Sequence, residues 1–171
     1  MVNRMTKTEQ DLLSAFAGES QANRKYLAFA DTAKKEGFPQ IAKLFRAAAA
    51  AESVHANNHY RAVGGIRSTV DNLKTAIAGE YNEFTKMYPE MLAHAKEDNN
   101  NAATRTFYSA NEVEKIHHKL YSTALAAVEK QVDLPKQDIY VCPVCGFTVE
   151  GKAPDECPIC KAKGSTFMRI E

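Results

Sequence analysis

Glu52 and His55 lie three residues apart in Ala51-Glu52-Ser53-Val54-His55, inside a stretch patterned as a helix. On a helix that spacing puts both side chains on one face, where they can hold a metal ion from one side. One Glu-x-x-His pair is common on soluble helices, but here the pair recurs as Glu114 and His117. Each pair also follows an inward glutamate, Glu19 or Glu80, at nearly the same interval, so the first half of the helical region is echoed in the second. Glu83 adds a fifth carboxylate. Like charges raise one another's pKa, so five glutamates on apolar stripes cannot all stay ionised without cations. Oxygen-rich ligands with two imidazoles suit iron or manganese and do not exclude zinc.

A second group of residues is built for metal as well. Cys142-Pro-Val-Cys145-Gly and Cys157-Pro-Ile-Cys160 form two knuckles able to converge four thiolates on one tetrahedral ion, iron or zinc. The four cysteines are confined to the C-terminal stretch, which is too small to stand on a core of its own and needs such a staple. Two disulfides would be the reading in an oxidising compartment.

Long amphipathic helices must position the glutamates and histidines. The first starts at Thr6, where Thr6 and Glu9 form a capping-box pattern, and ends near Gly37; its inward stripe is Leu12, Phe16, Glu19, Asn23, Tyr26, Ala30 and Ala33. The second opens at Pro39, carries Ile41, Phe45, Ala48, Glu52 and His55 on one stripe, and stops at Gly64-Gly65. Its alanine run, Ala47 to Ala51, permits close helix approach. The third follows Thr69, an expected N-cap, with Glu80 and Glu83 interrupting its apolar stripe and Pro89 expected to kink it. The fourth spans about Asn101 to Gln131; Glu112 and His118 fall on another face and are expected in solvent. A polar linker, Val132 to Asp138, divides a helical domain, residues 1–135, from a small module, residues 136–171. Short strands are expected at Ile139–Val141, Phe147–Val149 and Phe167–Ile170.

Composition removes other classes. A net charge of +1 with 25% charged residues offers no basic excess for nucleic acid. No run approaches the roughly 18 apolar residues of a membrane span, and the polar start, Met1 to Gln10, has no signal-peptide core. A cytoplasmic protein is expected.

Four helices giving two sets of Glu plus Glu-x-x-His resemble the ferritin-like dimetal carboxylate bundle. With the four-cysteine module behind it, essentially the whole chain resembles the rubrerythrin family. The resemblance implies a mainly α fold: a ferritin-like four-helix bundle with a small, β-rich, rubredoxin-like metal-binding domain. It implies two Fe held by Glu19, Glu52, His55, Glu80, Glu83, Glu114 and His117, and one Fe held by Cys142, Cys145, Cys157 and Cys160, with Zn or Mn as possible substitutes. In the family one iron moves between a carboxylate and a histidine with oxidation state, and Glu83 and His55 are the matching residues. Tyr26 and Tyr88 match tyrosines that hydrogen-bond ligand carboxylates.

The implied activity is reduction of hydrogen peroxide to water. Electrons would come from NAD(P)H through a rubredoxin reductase, with or without a separate rubredoxin, in a homodimer or higher homo-oligomer. Alternatives are an iron-oxidising or storage protein and a non-catalytic bundle with a structural zinc ribbon. One departure from the family pattern stands out: Lys161 follows the fourth cysteine where rubredoxin-type knuckles have Gly.

Overall fold

Thr6 and Glu9 cap the first helix reciprocally, the Thr6 side chain accepting from the Glu9 amide at 3.2 Å and the Glu9 carboxylate accepting from the Thr6 amide at 2.7 Å. In the computed structural model, which describes residues 5–171, α1 then runs Lys7–Lys35; the first four residues of the polar N-terminal stretch lie outside the described residues. Gly37, at φ 85°, takes the left-handed turn that ends α1, and the Phe38 amide donates back to Ala33 at 2.8 Å. Pro39 opens α2, Pro39–Ala62, and positive φ at Gly64 follows its end. These two helices make up one compact unit, which ends at Arg67.

The seam between α1 and α2 is narrow. Ala42, Ala49 and Ala56 recur every seven residues on α2 and are buried, as are Ala30, Ala33 and Asn23 on α1. Asn23 donates to the Ala49 carbonyl at 2.6 Å and to Ser53 Oγ at 2.8 Å, and its own oxygen accepts from Arg24 Nε. A buried amide with these contacts fixes the register of the two helices. The seam lies one residue along from the expected α2 stripe: Ile41 and His55 are exposed, and Phe45 and Glu52 are half-buried beside the contact. Alanine packs on any helix face, so period alone did not decide which alanines face the partner. Phe16 stacks on Tyr60 at 4.6 Å and closes the seam at one end.

The second unit spans Ser68–Glu171. Ser68, rather than the neighbouring Thr69, caps α3, Thr69–Asn82, its hydroxyl accepting from the Asp71 amide. The helix next widens into a π-helical turn, Glu83–Met87, before resuming as α4, Tyr88–Glu97. Pro89 breaks the helix as expected, and the π turn absorbs the break: Tyr88 N–H reaches the Glu83 carbonyl, five residues back. After a turn with Asn99 at φ 55°, Asn100 caps α5, Asn101–Val128, and α3 and α4 pack along it. Among the described residues no helix is long and apolar enough to cross a membrane.

Three short antiparallel strands complete this unit: β1, Ile139–Val141; β2, Thr148–Glu150; β3, Met168–Ile170, in the order β2-β1-β3. β2 and β3 each begin one residue later than expected. β2 lies against α5. The residue after each knuckle is left-handed, Gly146 at φ 85° and Lys161 at φ 64°. Lys161 therefore occupies a conformation that costs an L-residue about 1–2 kcal/mol. Its ion pair to Glu156 at 3.5 Å is largely exposed and offsets little. Lys161→Gly is expected to stabilise the four-cysteine module by about 1 kcal/mol against urea. Equal or lower stability of that variant, followed by loss of the metal–thiolate absorption, would show that Lys161 carries no strain.

Candidate metal centres

Each unit brings one triad together. In the first, ligand atoms of Glu19, Glu52 and His55 lie within 4.8 Å of one another, and in the second the same holds for Glu80, Glu114 and His117. Such spacing is within reach of one ion with bonds of about 2.1 Å to each atom. The Asn23 contacts set the first triad, since Asn23 follows Glu19 by one turn and its partner Ser53 adjoins Glu52. His55 Nδ1 lies 2.9 Å from Glu52 and 3.9 Å from Glu19, with the imidazole 53% exposed. His117 Nδ1 lies 2.7 Å from Glu114 and its imidazole is 25% exposed. Both histidines thus turn Nδ1 towards the carboxylates.

Glu83 stands at the start of the π turn, outside the tight triad but close enough to interact with it. Burial raises its pKa, repulsion from Glu114 raises it further, and His117 opposes the shift. Burial also pushes Glu80 up, to about 7, helped by the charge of Glu114, a hydrogen bond with it, and Glu83. Tyr88 is raised by burial and then by Glu83, Glu114 and Glu80, which places its phenol beside the carboxylates; its ring packs near Phe107. Tyr26 sits in an aromatic cluster with Phe29 and Phe45. Among the described residues neither Tyr26 nor Tyr88 hydrogen-bonds a carboxylate.

The structure adds two residues that sequence reasoning passed over. Tyr121, one turn beyond His117, is raised by burial and by Glu80 and Glu114. It follows Glu114 by seven residues, two helical turns on the same face, and that spacing could have flagged it. Thr148 Oγ1 lies 2.9 Å from His117 Nε2, a contact between α5 and β2 that no local pattern announces. His118 differs from expectation: it packs against Phe84 and Tyr81 instead of standing in solvent. Glu112 does point away, to Lys115.

Four thiols converge in the C-terminal module. Cys142 and Cys160 sulfurs are 3.6 Å apart and those of Cys145 and Cys157 are 3.5 Å apart, close to the ~3.8 Å edge of a tetrahedron with ~2.3 Å metal–sulfur bonds. Burial opposes ionisation of Cys157, yet the backbone amides of Cys160 and Ile159 and the neighbouring thiols outweigh it and bring the pKa down to about 7. Burial raises Cys145 and Cys160. Only a cation would let all four ionise together.

With both ligand sets in place, the comparisons with known proteins are decisive. The rubrerythrin family profile matches residues 11–125, and the profile for the rubredoxin-like domain of rubrerythrin matches residues 140–168. The chain belongs to the rubrerythrin family. It is 38% identical to rubrerythrin-2 of Clostridium acetobutylicum over 94% of this chain and 95% of that one. It is 37% identical to a rubrerythrin of Porphyromonas gingivalis, covering 91% and 86%. A solved structure of fully reduced, all-ferrous nigerythrin is similar at TM-score 0.57 and 31% identity, covering 99% of this chain and 89% of that one. The fold is thus the mainly helical, ferritin-like one with a rubredoxin-like module. The ligand types fit two irons in carboxylate–imidazole coordination and one iron in four thiolates. Rubrerythrins are iron-containing oxidative-stress proteins with oxidoreductase chemistry.

Glu80 binds its proton more tightly in the folded chain than at the ordinary value of 4.5. Its contribution to stability is complete below 4.5 and disappears as pH rises through about 7. Metal-free protein is therefore expected to lose thermal stability across that window, Glu80→Gln to lose less, and zinc-loaded protein to be spared because the cation replaces the proton. Melting curves of the three against pH test this; identical slopes for wild type and Glu80→Gln would refute it.

Proposed function

We propose that this protein reduces hydrogen peroxide to water, with electrons relayed from its four-cysteine iron to a diiron centre. The observation that carries this reading is the pairing, in one chain, of two Glu plus Glu-x-x-His triads with a four-thiolate site. An iron-storage protein has no need of the second. When bound, the two irons would supply the Lewis acidity and the two electrons that, with two protons, reduce the peroxide O–O bond to two waters. Glu19, Glu52, Glu80 and Glu114 hold them, with His117 as a lasting ligand. Glu83 and His55 would be the alternative ligands of one iron, taken in turn as its charge changes. The half-exposed His55 ring and the wide helical turn at Glu83 support that assignment, since each leaves its side chain room to move. Tyr26 and Tyr88 are proposed to steady the carboxylates once metal has drawn them into place.

The electrons enter at Cys142, Cys145, Cys157 and Cys160 from an NAD(P)H-dependent rubredoxin reductase or a rubredoxin. Unoxidised thiols favour the reducing cytoplasm as the site of action. The α1–α2 unit leaves Phe29, Phe38, Ile41, Leu44 and Val54 exposed, with Leu44 at 69%. That much apolar side-chain surface on two helices supports a homodimer or higher homo-oligomer.

Iron-loaded protein with a rubredoxin reductase and NADH is expected to consume peroxide through many turnovers. Turnover that stalls after one equivalent per site would turn the reading to iron oxidation and storage. Purified protein with zinc only and no thiolate-to-iron absorption after anaerobic reconstitution would point to a structural zinc ribbon. Cys157→Ser should keep both diiron metals yet block reductase-coupled turnover; undiminished turnover would overturn the electron path.

A further inference from the structure

The two triad histidines, equivalent in sequence, differ in what holds the far side of the ring. His55 Nε2 has no hydrogen-bond partner among the described residues, and its ring is more than half exposed. His117 Nε2 lies 2.9 Å from Thr148 Oγ1, and the Thr148 hydroxyl in turn donates to the Gly146 carbonyl at 3.0 Å. A hydroxyl has one proton to give. Since Gly146 takes it, Oγ1 faces His117 with lone pairs, and only an N–H can be its partner. His117 must therefore carry a proton on Nε2, while Nδ1, 2.7 Å from Glu114, shares with that carboxylate the proton whose place a metal ion would take.

We propose that Thr148, a strand residue of the four-cysteine module, is a positioning residue for the diiron centre: it fixes the proton on His117 Nε2 and locks that ring, whereas the far side of the His55 ring is left unheld. The inference rests on the diiron reading above. The module then does more than carry electrons, since its β2 strand orients a ligand of the helical region. Gly146, which receives the hydroxyl proton, follows Cys145 directly, so the chain of hydrogen bonds from His117 ends at the first knuckle. The bond borders an open cleft of about 300 Å³ lined by Leu73, Leu120, Ala124 and Ile139 together with Tyr121 and Glu150.

Zinc provides a diamagnetic probe that needs no turnover. In ¹⁵N-histidine-labelled, zinc-loaded protein, His117 is expected to show a ring Nε2 proton protected from solvent exchange, and His55 to show none. Thr148→Val keeps the β-branched shape and should lose that protection. Its zinc affinity at the His117 triad should fall roughly 10- to 100-fold. Thr148→Ser should restore both. Metal–thiolate absorption of the same samples reports that the module is folded; if the Val variant lacks it, Thr148→Ala carries the same expectation. Unchanged ring protection and zinc affinity in the folded Val or Ala variant, or a Ser variant as weak as Val, would overturn the proposal. Failure of wild type to take zinc at the triads would instead overturn the dimetal reading itself.

Discussion

Repulsion among carboxylates is the constraint to which the ligand-bearing faces are built. Glu80, Glu83 and Glu114 are gathered by the packing of α3, the π turn and α5, where burial first and then the charge of Glu114 raise the proton affinity of Glu80 and Glu83. Two unit charges about 4 Å apart in a partly buried setting repel by about 4 kcal/mol, whereas an ordinary hydrogen bond returns about 1 kcal/mol. Local hydrogen bonding therefore cannot hold the cluster in its ionised form. Protons can do so near neutral pH, and cations can do so without protons. Burial, and after it the same field, raises Tyr88 and Tyr121, so both stay neutral beside the acids. In the α1–α2 unit the helices meet through alanines, and the glutamates stand at the edge of that seam instead of within it.

The backbone accommodates this crowding with one local irregularity. A regular α-helix through Glu83 would place Pro89 where its ring meets the carbonyl four residues back and its missing N–H leaves a gap. Widening the turn to π geometry relieves both conflicts and falls on the residues where a carboxylate must reach towards the triad. Glu83 begins that turn and Tyr88 follows it, so the break in the helix and the approach of these two side chains share one cause.

Much of this was readable in the order of residues, because it depends on local chemistry. Thr6 with Glu9, Gly37 before Pro39, and Gly64-Gly65 mark helix ends that follow from capping and left-handed backbone. The strained φ at Lys161 follows from its place after Cys160. The pairing of Glu52 with His55, and of Glu114 with His117, follows from helical period alone. What was not readable depends on partners distant in sequence or on choices of equal local merit. Ser68 and Thr69 are equally good caps, and an alanine-rich helix has no preferred face until a partner selects one. His118 is polar by type but packs with Phe84 and Tyr81 because α3 and α5 meet there. Thr148 belongs to a short strand whose significance appears only when β2 meets α5.

The two kinds of centre make opposite mechanical demands. An ion in four thiolates exchanges one electron with little change of geometry, which favours a rigid cage. The knuckles provide one: the Cys142 and Cys157 amides are tied across their own turns to Phe147 and Ala162, and amides directed at Cys157 favour its thiolate. A carboxylate centre whose ligands exchange needs a fixed part and a movable part. The fixed part is found where helix and strand meet, at His117, held on both ring nitrogens. The proposed movable part is found where support is weaker, at the half-exposed ring of His55, held on one nitrogen alone, and at the widened turn of Glu83. Rigidity and freedom are thus assigned to particular side chains by packing, although the two Glu-x-x-His pairs are the same in sequence.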